Sequence, residues 1–115
     1  LMLFQIRRSD GTVDPYSAGS FVAADGRVQA LTRTDFSIDV TSFWTSPHSG
    51  AAYPAGWSIA VPSLGLSGQV QPLQADQELN LAVTYWEGAV EVEGTVSGHG
   101  YVELTGYAAS FNGHF

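Results

Sequence analysis

Four carboxylates, Glu87, Glu91, Glu93 and Glu103, lie in two segments crowded with aromatic residues and glycine. These are Tyr85-Trp86-Glu87-Gly88-Ala89-Val90-Glu91-Val92-Glu93-Gly94 and Gly100-Tyr101-Val102-Glu103-Leu104-Thr105-Gly106-Tyr107. A carboxylate on a strand costs desolvation energy unless it faces water or a partner. Among tyrosines in a cavity it would hold its proton more tightly and could protonate an apolar substrate. Glu91 and Glu93 share one face, opposite Val90 and Val92, and solvent is their expected surrounding. Glu103 shares a face with Tyr101, Thr105 and Tyr107, opposite Val102 and Leu104. That face points either to water or into a barrel. Glu87 sits at a Trp-Glu-Gly break, where a bulge would aim it inward. Register decides between the two faces, because a slip of one residue exchanges them.

A second group of reactive side chains lies on the connection Trp44-Thr45-Ser46-Pro47-His48-Ser49-Gly50-Ala51-Ala52-Tyr53-Pro54-Ala55-Gly56-Trp57. Long connections often line ligand sites, and His48 could act as a base or donor near neutral pH. The simpler reading is that Pro47 and Pro54 stiffen a loop whose aromatics cap the core. His48, His99 and His114 are far apart and lack the spacing of a metal-binding motif. No metal site or cofactor is expected. No Gly-x-Ser-x-Gly elbow is present, and Ser63-Leu64-Gly65-Leu66-Ser67-Gly68 lacks the lysine and helix of a phosphate loop.

The elements that must position these groups read as β-strands. Apolar residues make up 44% of the 115 residues and charged ones 13%, a balance that suits one packed domain. The net charge of -7, with four arginines and no lysine, disfavours nucleic acid as a partner. With no cysteine, disulfides, thiolate metal sites and cysteine nucleophiles are excluded. Glycine and proline recur every several residues, and no convincing helix is found. Strands are expected at Met2–Arg7, Ser20–Ala24 and Arg27–Thr32, the last two joined by the Asp25-Gly26 turn. Phe36, Ile38 and Val40 alternate with polar residues over Asp35–Phe43, as on a half-buried strand. A loop over Thr45–Ala55 precedes a strand marked by Trp57, Ile59 and Val61. Further strands are expected at Leu66–Leu73, Leu79–Trp86, Ala89–Glu93 and Tyr101–Tyr107, about nine in all, at sandwich or barrel spacing. The fold class is all-β.

In order along the chain come Leu-Met-Leu-Phe-Gln-Ile-Arg-Arg-Ser-Asp-Gly (1–11), Trp-Thr-Ser-Pro-His-Ser-Gly (44–50) and Tyr-Pro-Ala-Gly-Trp (53–57). Asp76-Gln77-Glu78-Leu79, Tyr-Trp-Glu-Gly-Ala-Val (85–90) and Gly-Tyr-Val-Glu-Leu-Thr-Gly-Tyr (100–107) follow. Over nearly its whole length the chain resembles the AttH/CrtC-like family of carotenoid 1,2-hydratases (hydroxyneurosporene synthases) and predicted secreted hydrolases. Members are longer and hold two lipocalin-like β-barrel domains. The resemblance is to most of the second, so residues 1–115 are expected to form the C-terminal lipocalin-like domain of a two-domain parent. The family strand leading into Leu1-Met2-Leu3 is missing here, and the hairpin after Gly94-Thr95 is shorter. An antiparallel barrel incomplete at its N-terminal edge is implied, with that edge open to pairing with a second copy.

The resemblance also implies an apolar-ligand scaffold. Hydration of an isoprenoid double bond needs an acid to protonate the alkene and a dry aromatic pocket for the cation. The expected catalytic residues are then Glu87, Glu103 and His48. The expected ligand-binding residues are Trp44, Tyr53, Trp57, Tyr85, Trp86, Tyr101 and Tyr107. The family site is expected in or beside the first domain, so this chain alone would be inactive. The expected partners are a hydrophobic small molecule, the parent's N-terminal barrel and a second copy. The alternative is a non-catalytic structural domain that supports that barrel. The resemblance points to an exported, periplasmic or membrane-associated bacterial protein, and nothing in the chain supplies a hydrolase nucleophile.

Overall fold

The computed structural model describes residues 1–108. It is all-β, and every strand pair is antiparallel. Strands β1 (Met2–Phe4), β2 (Ala18–Val22) and β3 (Val28–Thr32) form a three-stranded sheet. Strands β4 (Ser37–Thr45), β5 (Ala52–Val61), β6 (Leu66–Pro72), β7 (Glu78–Asn80), β8 (Thr84–Gly94) and β9 (Gly98–Leu104) form a six-stranded sheet. Neither sheet closes on itself. The architecture is that of a lipocalin-like fold whose barrel is incomplete.

Two apolar clusters hold the chain together. In the first, Tyr53, Trp57, Val70, Trp86 and Val90 are buried on one face of the six-stranded sheet. Register explains the choice of face: Trp57 pairs with Val70, Val70 with Val92, and Trp86 with Leu104. The indoles of Trp57 and Trp86 meet at 6.5 Å in a tilted pair, a favourable aromatic geometry. In the second cluster Leu31 of the first sheet packs with Val61 and Leu66 of the second, flanked by Leu3, Phe36 and Leu64. Ile59 touches both clusters.

Several elements differ from the sequence expectation. The expected strand Leu79–Trp86 is divided between β7 and β8 by residues 81–83, and its Thr84–Trp86 part runs on through Gly88 into Ala89–Glu93 as the single strand β8. The reason is the neighbour of β8 on its other edge. That edge pairs with β7 at Thr84–Trp86 and with β6 at Val90–Gly94. The gap between them is filled by Gln77. Its carboxamide accepts from the Ala89 amide at 3.0 Å and donates to the Ala89 carbonyl at 3.1 Å, in place of a ladder strand. A Cβ at position 88 would overlap that carboxamide. Gly88 is therefore a cavity for a side chain and not a bulge. The Thr45–Ala55 loop also shrinks, because β5 begins at Ala52. Val40 lies on the expected apolar face but is 43% exposed, beside a register irregularity at Ser42. There Gly56 lets Thr41 and Ser42 approach, and a Cβ would meet their hydroxyls at 2.7 and 2.8 Å.

Gly88→Ala should destabilise the protein by about 1–3 kcal/mol, the usual cost of overpacking together with lost hydrogen bonds. Adding Gln77→Ala should recover part of that loss, so urea denaturation of the double-mutant cycle should show a non-additive pair. Additive losses would mean that Gly88 serves another purpose.

Candidate functional site

The densest polar cluster on the described residues is centred on Glu78, the first residue of β7. It begins with the short loop between β4 and β5. Ser46 and Ala51 close that loop, with the Ser46 amide donating to the Ala51 carbonyl at 2.9 Å. Ser46 Oγ accepts from the amides of His48 (3.1 Å) and Ser49 (3.2 Å), a local turn of the kind serine favours. The Ser46 hydroxyl then donates to Glu78 Oε1 at 2.7 Å. Ser49 donates to Oε2 at 2.5 Å and Tyr53 donates to the same oxygen at 2.7 Å. Ser46 and Tyr53 are almost wholly inaccessible, at 1% and 0%.

The electrostatics follow from that donor set. Burial favours the neutral acid, but hydrogen bonds from Ser49, Tyr53, Ser46 and Asn80 outweigh it and hold Glu78 below its ordinary value of 4.5. Glu78 is thus an anion at neutral pH. Burial, then its hydrogen bond and the charge of Glu78, push the Tyr53 phenol above the usual range. Tyr53 remains a donor over the whole physiological range.

Aromatic rings extend from this anion. Trp44, opposite Tyr53 in the ladder, stacks on it with centroids 6.2 Å apart. Tyr107 lies 5.9 Å from Tyr53 in a tilted pair. The guanidinium of Arg7 sits 3.8 Å from the Tyr107 centroid. Burial raises the Tyr107 phenol, and the Arg7 charge opposes that rise.

The structure brings Trp44, Tyr53 and Tyr107 together and sets Trp57 and Trp86 in the adjoining core. Trp86 spends its indole N–H on the Ala75 carbonyl at 2.8 Å. His48 joins the cluster only through its backbone. Its imidazole is 60% exposed and lies 3.4 Å from Asp76. Tyr85, Glu87, Tyr101 and Glu103 lie on the opposite face of the sheet from Trp86, Val102 and Leu104. Glu87 and Glu103 are directly opposite each other across β8 and β9. Tyr85 donates to Glu87 Oε1 at 3.3 Å, and its phenol is raised by burial first and then by the Glu87 charge. Glu103 is exposed and Tyr101 is 66% exposed. Among the described residues no group of three metal-ligating side chains converges, and His114 lies outside those residues.

Sequence reasoning missed Glu78, Ser46, Ser49 and Arg7. Glu78 lies in a polar connection, 32 residues from Ser46 and 25 from Tyr53. No local pattern links them. The only hint was the two serines flanking His48 on a loop followed by Tyr53.

The sign of the pH dependence follows from Glu78. Its folded-state value lies below its unfolded one, so its contribution is complete above the ordinary carboxylate range and is lost as pH falls through the folded value. Glu78→Gln should therefore lower the melting temperature at pH 7, and the gap from wild type should close in acid. Tyr53→Phe should cost about 1.5–3 kcal/mol, as for a hydrogen bond to a charged group. Scanning calorimetry between neutral and acidic pH checks both, and a pH-independent Glu78→Gln gap would contradict the assignment.

Two of three comparisons with known proteins find a match. The sequence model of the AttH-like family matches residues 1–107. No curated protein sequence matches the chain. The fold is similar to the crystal structure of a candidate AttH protein from Nitrosomonas europaea, with a TM-score of 0.81 and 33% identity. That similarity covers 91% of this chain and 33% of the other, so the chain spans about one third of that protein's length. Over almost every residue whose geometry is described above, this chain belongs to the AttH-like family.

Proposed function

We propose that this chain is the C-terminal lipocalin-like domain of a two-domain AttH-like protein. In this reading it supports an N-terminal barrel and lends an aromatic wall to a site for an apolar, isoprenoid-like small molecule. The observation that carries the reading is the separation of acid from aromatic surface. Trp44, Tyr53 and Tyr107 form a connected row, and the carboxylate at that row, Glu78, is saturated by hydroxyl donors and held ionised. Hydration of a C=C bond begins with proton transfer from an acid. An ionised, fully hydrogen-bonded Glu78 orients Tyr53 and the 46–51 loop but has no proton to give. The acid for such a reaction would then come from the N-terminal barrel, and this domain would act through binding and support.

A second reading keeps catalysis on this chain, with Glu87 and Glu103 as proton carriers and His48 as an accessory base. It is favoured by the cross-strand opposition of Glu87 and Glu103 and by the Tyr85 hydrogen bond. It requires the outer face of β8 and β9 to be covered by the parent's other domain.

The deciding assay is water addition to an acyclic carotenoid by the full-length protein, alongside titration with the same polyene. Under the first reading Glu87→Gln, Glu103→Gln and His48→Gln stay within about twofold of wild type. Trp44→Ala should weaken polyene binding by about tenfold, in keeping with loss of a large aromatic contact. A loss of about a hundredfold or more in turnover for Glu87→Gln or Glu103→Gln, the range of a missing general acid, would transfer the chemistry to this domain.

A further inference from the structure

The two sheets are joined in two ways that differ in kind. Near the Val61 end of β5 the joint is aliphatic: Leu31 and Leu3 pack with Val61 and Leu66. Toward the Tyr53 end of β5 the described residues show a polar contact made by one side chain. Arg7, on the connection between β1 and β2, places its guanidinium 3.8 Å from the Tyr107 centroid. It also donates from Nη2 to the Thr105 carbonyl at 3.2 Å. A planar guanidinium can stack and donate in its own plane at once, which an ammonium cannot.

The backbone around Arg7 is held by local hydrogen bonds and not by a regular ladder. Strand β1 has three residues; beyond it Arg7 makes one isolated bridge to Val13, and the flanking Ile6 and Arg8 amides donate to Ser17 Oγ and the Thr12 carbonyl, each at 2.8 Å. A segment with few ladder bonds opens at low free-energy cost. An exposed cation–π contact shifts an open–closed ratio by only about two- to fivefold. The ring under Arg7 is the outermost member of the row that continues through Tyr53 to Trp44. The guanidinium therefore occupies the face on which a flat apolar molecule would stack.

We propose that Arg7 is a clasp. The three-stranded sheet pivots on the Leu31–Val61–Leu66 cluster, and release of Arg7 from Tyr107 and Thr105 uncovers the ring row as the entry for an apolar ligand. The entry role rests on the proposed aromatic wall; the clasp does not. Arg7 is a positioning residue here, since it covers the ring and takes no part in any bond-making step.

The test uses the full-length protein as wild type, Arg7→Gln, Arg7→Lys and Tyr107→Leu. Amide hydrogen exchange reads opening directly, and the association rate of the neutral probe N-phenyl-1-naphthylamine reads access. Arg7→Gln and Tyr107→Leu should each speed exchange of the hydrogen-bonded Ile6 and Arg8 amides by about two- to fivefold, with Leu31, Val61 and Leu66 unchanged. Arg7→Lys should fail to restore slow exchange, and probe association should rise by the same factor in Arg7→Gln. Unchanged exchange in Arg7→Gln would overturn the clasp, and faster exchange at Leu31 and Val61 as well would overturn the pivot. Faster local exchange with unchanged probe association would keep the clasp and overturn its entry role. Absence of probe binding in every variant, with exchange still faster, would keep the clasp and reject the aromatic wall.

Discussion

Strand β8 must be paired along both edges, and no single strand is long enough to do it. On one edge β9 covers Trp86 to Val92. On the other, β7 and β6 cover the two ends and leave the middle open. An unpaired backbone amide and carbonyl inside a sheet would each cost a lost hydrogen bond. The Gln77 carboxamide accepts from the Ala89 amide and joins the Leu73 amide as a donor to the Ala89 carbonyl, and only glycine at position 88 leaves it room. The placement of Trp86 and Val90 in the core depends on this splice, because both lie on the continuous strand that it permits.

The splice also places the polar centre. Gln77 is followed at once by Glu78, so fixing one positions the other at the start of β7. Glu78 then gathers Ser46, Ser49 and Tyr53, and through them the β4–β5 loop. Three hydroxyl donors replace the water that a carboxylate loses when it leaves solvent, which is why the group stays ionised. The cluster resembles an acid–base site in its residue types. Its hydrogen bonding makes it an anchor for the aromatic row instead.

The open edges carry a different message. Among the described residues β4 pairs only with β5, and β7 and β9 only with β8, so three strands of the six-stranded sheet each leave one edge open. The irregularity at Ser42 twists one of them, a common protection against unwanted pairing. Apolar residues such as Met2, Phe4, Val28 and Phe43 are exposed as well.

The all-β class, nearly every strand and the family were legible in the residues, because alternation, turn chemistry and the Trp-Glu-Gly and Tyr-Val-Glu-Leu-Thr-Gly-Tyr segments are local signals. The same period of two put Val102 and Leu104 opposite Tyr101 and Glu103, and strand register decided which pair faces the core. The role of Gly88 was not legible, since a glycine between two strand-like runs looks the same whether the chain breaks there or makes room for a distant side chain. Glu78 was hidden for the same reason: its donors come from another part of the chain, and only strand register brings them within hydrogen-bonding distance. The sequence by itself determined which faces are apolar and where turns fall, through backbone and side-chain preferences that act over a few residues. Tertiary structure alone decided which carboxylate is gathered among hydroxyls and which pair stands on the outer face, because that depends on how strands far apart in sequence align.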